Sequence, residues 1–427
     1  MRILHIAAGA GGMYCGACAR DILLVTGLRL RGHEVRVVPL YTPLRIDGEE
    51  PFESDPVYMG GINLYLQQRS ALFRRLPAAL DRFLDNTALL RFVSRFAIDT
   101  RASELGAMTV AMLSGADGPF RKESDRLMAH LETEPPPEAV VITNTMLSGL
   151  APAFKRRWGT PILCQVQGED GFIGGMPEPH RSEAHRLLRE NARSVDLFVS
   201  PNTPYAAQMV DYLGIAEADM RVVRTGLPAE DYAPTGPRPR EPFTIGFLSG
   251  IARGKGLDLL VEAWRKLVLD EGRDAHLRVA GRPLDAAYWR ETQARAMEAT
   301  LAAKFEYAGE IDFAEKVRFL HGCSAFSVPS RHAEVRGRAV MEAMAAGVPV
   351  VVPASGVYPE MLSLTGGGLL FAAEDVGELA AALRRLMDDA DEADRLGREG
   401  TQGIAEHYSP QQSTEGMAAV LGELVRG

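Results

Sequence analysis

The sequence has 427 residues, of which 46% are hydrophobic and 24% charged, with a formal net charge of −9. A chain of that length exceeds one ordinary core and suits two domains of about 200 residues each. Its acidic balance excludes a general nucleic-acid binder, which needs a basic face against phosphates, and four cysteines in a chain this long form no disulfide framework, so a reducing cytoplasm is expected.

The opening MRILHIAAGAGG reads as a first strand, Arg2–Ala7, running into glycines, and not as a signal peptide, because no cleavage-type segment follows. The loop Gly9–Gly16 then leads into a helix that ends near Gly32. Its glycines let backbone approach a ligand and the helix start offers N–H groups to an anion, which makes Gly12 a candidate contact. The spacing is not G-x-G-x-x-G, so a ligand loop and a tight strand–helix turn both stay open. Cys15 and Cys18 form a C-x-x-C that a redox role would suit, but small residues packing this loop are the favoured reading, and zinc would need two more ligands where Cys164 and Cys323 are single and distant.

The second strand is expected at Glu34–Leu40. Residues Arg69–Arg101 follow, with seven arginines against three aspartates among Leu and Phe at helical spacing. That composition fits peripheral contact with an anionic lipid face or an anionic acceptor, although a solvated helical face is the favoured reading. No stretch of the chain reaches the roughly 18 apolar residues of a membrane helix.

Further strands are expected at Ala139–Asn144, Pro161–Val166, Leu197–Asn202 and Arg221–Thr225. Continuous apolar runs such as VVIT suit strands buried on both faces of a parallel sheet. Gln167, Glu169 and Asp170 stand just past the fourth strand, where open parallel sheets hold ligands, and are candidate ligand contacts. Pro228–Pro242 has five prolines in fifteen residues and reads as an interdomain linker.

The strand series then repeats at Phe243–Ser249, Leu277–Gly281, Phe305–Gly309, Ala325–Ser330, Pro349–Ala354 and Gly368–Phe371. Arg253 and Lys255, in a glycine-bearing loop after the first of these, suit a phosphate. After the fourth comes Glu334, then a short helix from about Gly337 to Gly347 that carries Glu342. The helix start at Arg338, Ala339 and Val340 can meet a diphosphate through its N–H groups. Glu360 follows the fifth strand. The expected domains are therefore 1–227, a linker 228–242, 243–408, and a terminal helix 409–427 whose apolar stripe is Met417, Val420, Leu421 and Leu424.

Glu334 and Glu342, with seven residues between them and EAMAAGVPVV after, resemble the retaining nucleotide-sugar glycosyltransferases of family 4. Gly61–Tyr65, Asp85-Asn86 and Ser94-Arg95 look instead like the related glycogen and starch synthases. The resemblance implies an α/β fold of two Rossmann-like doubly wound parallel-sheet domains facing a cleft, called GT-B. It implies that Lys255 and Arg253 hold the donor diphosphate, that Glu342 binds the ribose, and that Glu334 binds the transferred sugar. Gly12 and Arg338–Val340 would contact the phosphates through backbone, and neither a metal nor an organic cofactor would be required.

The chain departs from the family at Val335 and Arg336, where the relatives have Gly and Phe, and at Gln167, where many have His. An epimerase of the same fold and an inactive sugar-nucleotide-binding protein are the alternatives. The acceptor is open, and Gln167, Glu169, Asp170 and Glu360 are its candidate contacts. The cytoplasm, with or without attachment to the inner membrane face, is the expected location.

Overall fold

A computed structural model describes residues 1–9, 16–44, 52–57, 102–234, 236, 238–298 and 300–426. Gly12, Cys15, the synthase-like Gly61–Tyr65, Asp85-Asn86 and Ser94-Arg95, and the stretch Arg69–Arg101 lie outside them. Among the described residues no helix is long and apolar enough to cross a membrane.

The chain divides into two compact units, which are described separately. The first comprises Met1–Pro201, Tyr205–Val223 and Thr414–Gly427. Its strands are β1 (Arg2–Ala7), β2 (Glu34–Pro39), β3 (Ala139–Ile142), β4 (Ile162–Gln165), β5 (Leu197–Ser200) and β6 (Met220–Val222). They pair in parallel in the order β2-β1-β3-β4-β5-β6. All four residues of β3 and of β4 are buried, as expected of strands with helices on both faces.

Helix α1 (Gly16–Leu30) covers one face with Ile22, Val25 and Leu28. Beside it lies the last helix of the chain, Pro410–Arg426, whose Met417, Val420, Leu421 and Leu424 join the same core. Gly27 is required there, because a Cβ would lie 2.2 Å from the Thr414 hydroxyl.

The second unit comprises Asn202–Pro204 and Arg224–Ser413. Its strands are β7 (Phe243–Leu248), β8 (Ala275–Ala280), β9 (Phe305–Gly309), β10 (Ala325–Phe326), β11 (Val350–Pro353) and β12 (Gly368–Phe371). They too are parallel, ordered β12-β11-β10-β7-β8-β9. Trp264 anchors this core. It is fully buried and its indole N–H donates to the Ala275 carbonyl at 2.8 Å, which satisfies its polar end.

Each sheet thus reverses its winding once, between β1 and β3 in the first and between β7 and β10 in the second. Loops that leave neighbouring strands in opposite directions open a crevice at such a point.

Two expectations change. Strand β10 stops at Phe326 instead of reaching Ser330, which lies beyond Pro329, a residue with no N–H to continue a ladder. The Pro-rich segment is not a spacer. Ala229–Tyr232 forms a helical turn, Tyr232 is 1% exposed within the second core, and Arg238 bonds the Ser324 carbonyl and Asp394, both at 2.7 Å. Its prolines rule out strand and long helix without preventing close packing.

Candidate functional site

The reversal point of the second sheet gathers two loops. After β7 the chain makes a tight turn, Arg253–Lys255, and enters a helix, Leu257–Arg265, which we call α2. Gly256 joins them at φ +71°, and a Cβ there would lie 2.0 Å from the Pro329 carbonyl oxygen. Only glycine allows the turn to press this closely on the loop after β10.

That second loop carries Glu334. The Lys255 ammonium is bonded to its carboxylate, the Ser330 hydroxyl donates to it at 2.7 Å, and His332 Nε2 lies 3.3 Å from the same oxygen. Burial pushes the Glu334 carboxyl up, but hydrogen bonding from His332 and the charge and hydrogen bond of Lys255 outweigh that and hold it at about 2. The loop's backbone is fixed from behind. Val357 N–H donates to the Glu334 carbonyl at 2.9 Å, and Gly356, at φ +59°, leaves no room for a Cβ against Glu334 backbone.

Arg331 binds the two loops a second time. Its guanidinium forks onto both carboxylate oxygens of Asp258, each at 2.7 Å, and reaches the Arg253 carbonyl at 2.8 Å. Asp258 also accepts from the Tyr288 hydroxyl at 2.7 Å. Arg253 itself is exposed.

Glu342 has separate surroundings. It lies on the helix Arg338–Ala345, here α3, and is 3% exposed. One carboxylate oxygen accepts from Tyr232 at 2.9 Å, Lys316 at 2.8 Å and Arg338 at 2.9 Å. Burial raises its pKa, while the charges of Lys316 and Arg338 reverse the shift, so it stays ionised below the usual carboxylate range. The expected ribose ligand is thus buried among protein donors, in a cluster apart from Glu334. At the start of α3, Val340 N–H is bonded to the Gly337 carbonyl at 3.0 Å. That removes Val340 from the N–H groups expected to face a diphosphate, while Arg338 turns its side chain back onto Glu342 and Ala339 stays on the first turn.

The candidates of the first unit form their own network after β4. Gln167 is held at both ends of its amide: its NH2 donates to the Thr143 carbonyl at 2.8 Å and Arg20 donates to its oxygen at 3.1 Å. Glu169 is 2% exposed and accepts from the N–H groups of Thr145 at 2.9 Å and Gln167 at 2.6 Å. Its carboxylate ties the loop internally and does not stand out as the ligand contact expected, because two backbone donors fold over it. Asp170 accepts from Tyr205 at 2.7 Å and Gln208 at 2.6 Å. Glu360, in the second unit, accepts from Thr203 N–H at 2.9 Å and Arg224 at 3.2 Å. Cys18 is buried in the first core.

Ser330, Arg331, His332, Asp258 and Tyr288 were not among the residues that the sequence singled out. Only the place of Ser330 to His332, directly before Glu334, could have drawn attention to them.

Residues 230–403 match the family described as Glycosyl transferases group 1, and residues 23–226 match the Glycosyl transferase 4-like domain. The glycogen synthase of Mycobacterium tuberculosis is 28% identical over 301 residues, which cover 68% of this chain and 70% of that protein. The D-inositol 3-phosphate glycosyltransferase of Salinispora tropica is 23% identical over 415 residues, covering 86% of this chain and 81% of the relative. Among solved structures, Anabaena HepE in complex with UDP has a TM-score of 0.69 at 14% identity, over 99% of this chain and 100% of that one.

Proposed function

Because the chain belongs to the GT-B glycosyltransferases of the family 4 type, we propose that it transfers a glycosyl group from a nucleoside-diphosphate sugar to an acceptor hydroxyl with retention of configuration. The observation that carries this reading is the Lys255–Glu334 pair at the reversal point of the second sheet. A cation and a carboxylate there suit the two ends of such a donor, the diphosphate and the sugar.

In the proposed reaction the bond from the sugar's anomeric carbon to the diphosphate oxygen breaks. Lys255, helped by exposed Arg253, stabilises the negative charge that develops on the leaving group. Glu334, ionised well below neutral pH, accepts hydrogen bonds from sugar hydroxyls and faces the positive charge that develops at the ring. The acceptor oxygen attacks from the face the diphosphate leaves, and its proton passes to a diphosphate oxygen. Gln167 can orient a hydroxyl but cannot take a proton, since an amide has no basic nitrogen.

This reading assigns the phosphate charge to side chains and calls for no resident metal or organic cofactor. HepE was solved with UDP and with UDP-glucose, so a uridine donor is the first to test.

The experiment is an incubation of purified protein with UDP-, GDP- and ADP-glucose and a panel of acceptors that includes α-glucans and inositol phosphate. Proton NMR of the product reads the anomeric configuration. An α-linked product from an α-linked donor is expected. A β-linked product would refute retention, and no turnover of any donor would refute the donor assignment.

A further inference from the structure

We propose that Arg331 and Asp258 form a positioning pair that keeps the Lys255 turn and the Glu334 loop in register while a donor diphosphate draws Lys255 away from Glu334. The inference rests on the donor-site reading above.

Lys255 and Asp258 lie three positions apart, as do Arg331 and Glu334. Two ion pairs of opposite polarity therefore bridge the same two loops, Lys255 to Glu334 and Asp258 to Arg331. The two pairs differ in kind. Lysine is a point charge on a flexible stem and can exchange one anion for another. The Arg331–Asp258 contact is a two-pronged fork between planar groups, which fixes orientation as well as distance.

Other bonds make the fork rigid. Arg331 gives its own N–H to the Gly254 carbonyl at 2.9 Å and a guanidinium N–H to the Arg253 carbonyl, so it holds the turn by backbone as well as by charge. From the far side, Tyr288 donates to Asp258 and its oxygen accepts the Asp258 N–H at 3.0 Å. Asp258 stands in the first turn of α2, where a carboxylate is favoured by the helix dipole. When Lys255 turns to a diphosphate, these contacts remain, and Lys255 and Glu334 stay aimed at the same ligand.

The test measures initial rates of nucleoside-diphosphate release with whichever of UDP-, GDP- and ADP-glucose the wild-type protein turns over. The variants are Lys255→Ala, Arg331→Ala, Arg331→Lys and the double variant Lys255→Ala/Arg331→Ala. Both Arg331 variants are expected to lose about 100-fold in kcat, the scale of an ångström-sized misplacement, with KM changed far less. Lysine does not rescue, because it cannot form the fork. The melting temperature should stay within about 4 °C of wild type. The double variant should fall no more than about threefold below Lys255→Ala alone, since the two residues act through one another.

Wild-type kcat in either Arg331 variant, or losses that multiply in the double variant, overturns the positioning role. If Arg331→Ala does not fold, Arg331→Lys and Asp258→Asn carry the same readouts. The two readings fail separately. An active wild type with a crippled Lys255→Ala and fully active Arg331 variants removes the positioning role alone. A wild type that turns over none of the donors removes the donor assignment and this inference with it.

Discussion

Lys255 and Glu334 meet across the reversal point of the second sheet, from loops that leave the neighbouring strands β7 and β10. Each is the other's counter-ion, and a nucleotide-sugar donor offers both a substitute, a diphosphate for the cation and a polyhydroxyl ring for the carboxylate. Removing the cation should therefore act on the reaction more than on the fold. Lys255→Ala is expected to lower kcat by about 100- to 1,000-fold, the usual loss for one stabilising donor, with a nearly unchanged circular dichroism spectrum. Activity within threefold of wild type would remove Lys255 from the mechanism.

Acid stability should report on Glu334. Its carboxyl is held at about 2, against an ordinary 4.5. A group whose folded value is depressed adds stability that is complete above its unfolded value and is lost as pH falls toward the folded value. The window is therefore pH 4.5 down to about 2, and the full contribution is roughly 3 kcal/mol. Denaturant unfolding of wild type and Glu334→Gln at pH 7, 5 and 3 should show the difference between them shrinking on acidification. A difference that grows would mean that the carboxylate is not stabilised in the fold.

Glu342 should behave as a structural anchor before it behaves as a ligand. Replacing it with Gln removes the carboxylate that pairs with Lys316, which is 7% exposed. Breaking one side of a buried pair costs about 3–5 kcal/mol, whereas Tyr232→Phe, which removes one neutral donor, should cost about 1 kcal/mol. Calorimetry on the two variants would separate these costs, and equal melting temperatures would contradict the buried cluster.

Gly256→Ala tests the close approach of the two loops. A left-handed φ costs a non-glycine residue about 1–2 kcal/mol, and the Cβ must also displace the Pro329 carbonyl. We expect lowered stability together with loss of donor turnover. A variant with both intact would show that the turn is not fixed by this contact.

Much of the fold can be read from local sequence. The strands announce themselves as short β-branched runs between glycines and prolines, and each spacing is set by a helix that must cross a parallel pair. Glu334 and Lys255 can be read because each follows such a strand. Arg331 and Asp258 cannot, since a long-range pair of common charged residues leaves no trace near either one. Tyr232 is hidden for another reason: prolines around it exclude regular structure, and without a helical or strand period nothing marks its ring as part of a core. The state of Glu169 is hidden too, because nothing next to it in the chain shows that the N–H groups of Thr145 and Gln167 fold over its carboxylate.

The division of the first unit between the two ends of the sequence has a consequence for how the protein is made. Synthesis runs from the amino end, so β1 to β6 and α1 emerge long before Thr414–Gly427. Until those residues leave the ribosome, Ile22, Val25 and Leu28 lack the covering of Met417, Val420, Leu421 and Leu424. The second unit, whole within Arg224–Ser413 apart from Asn202–Pro204, has all its residues available first. The half that begins the chain is thus the last to be finished, and a nascent chain stalled before Thr414 would carry an open apolar face for a chaperone to hold.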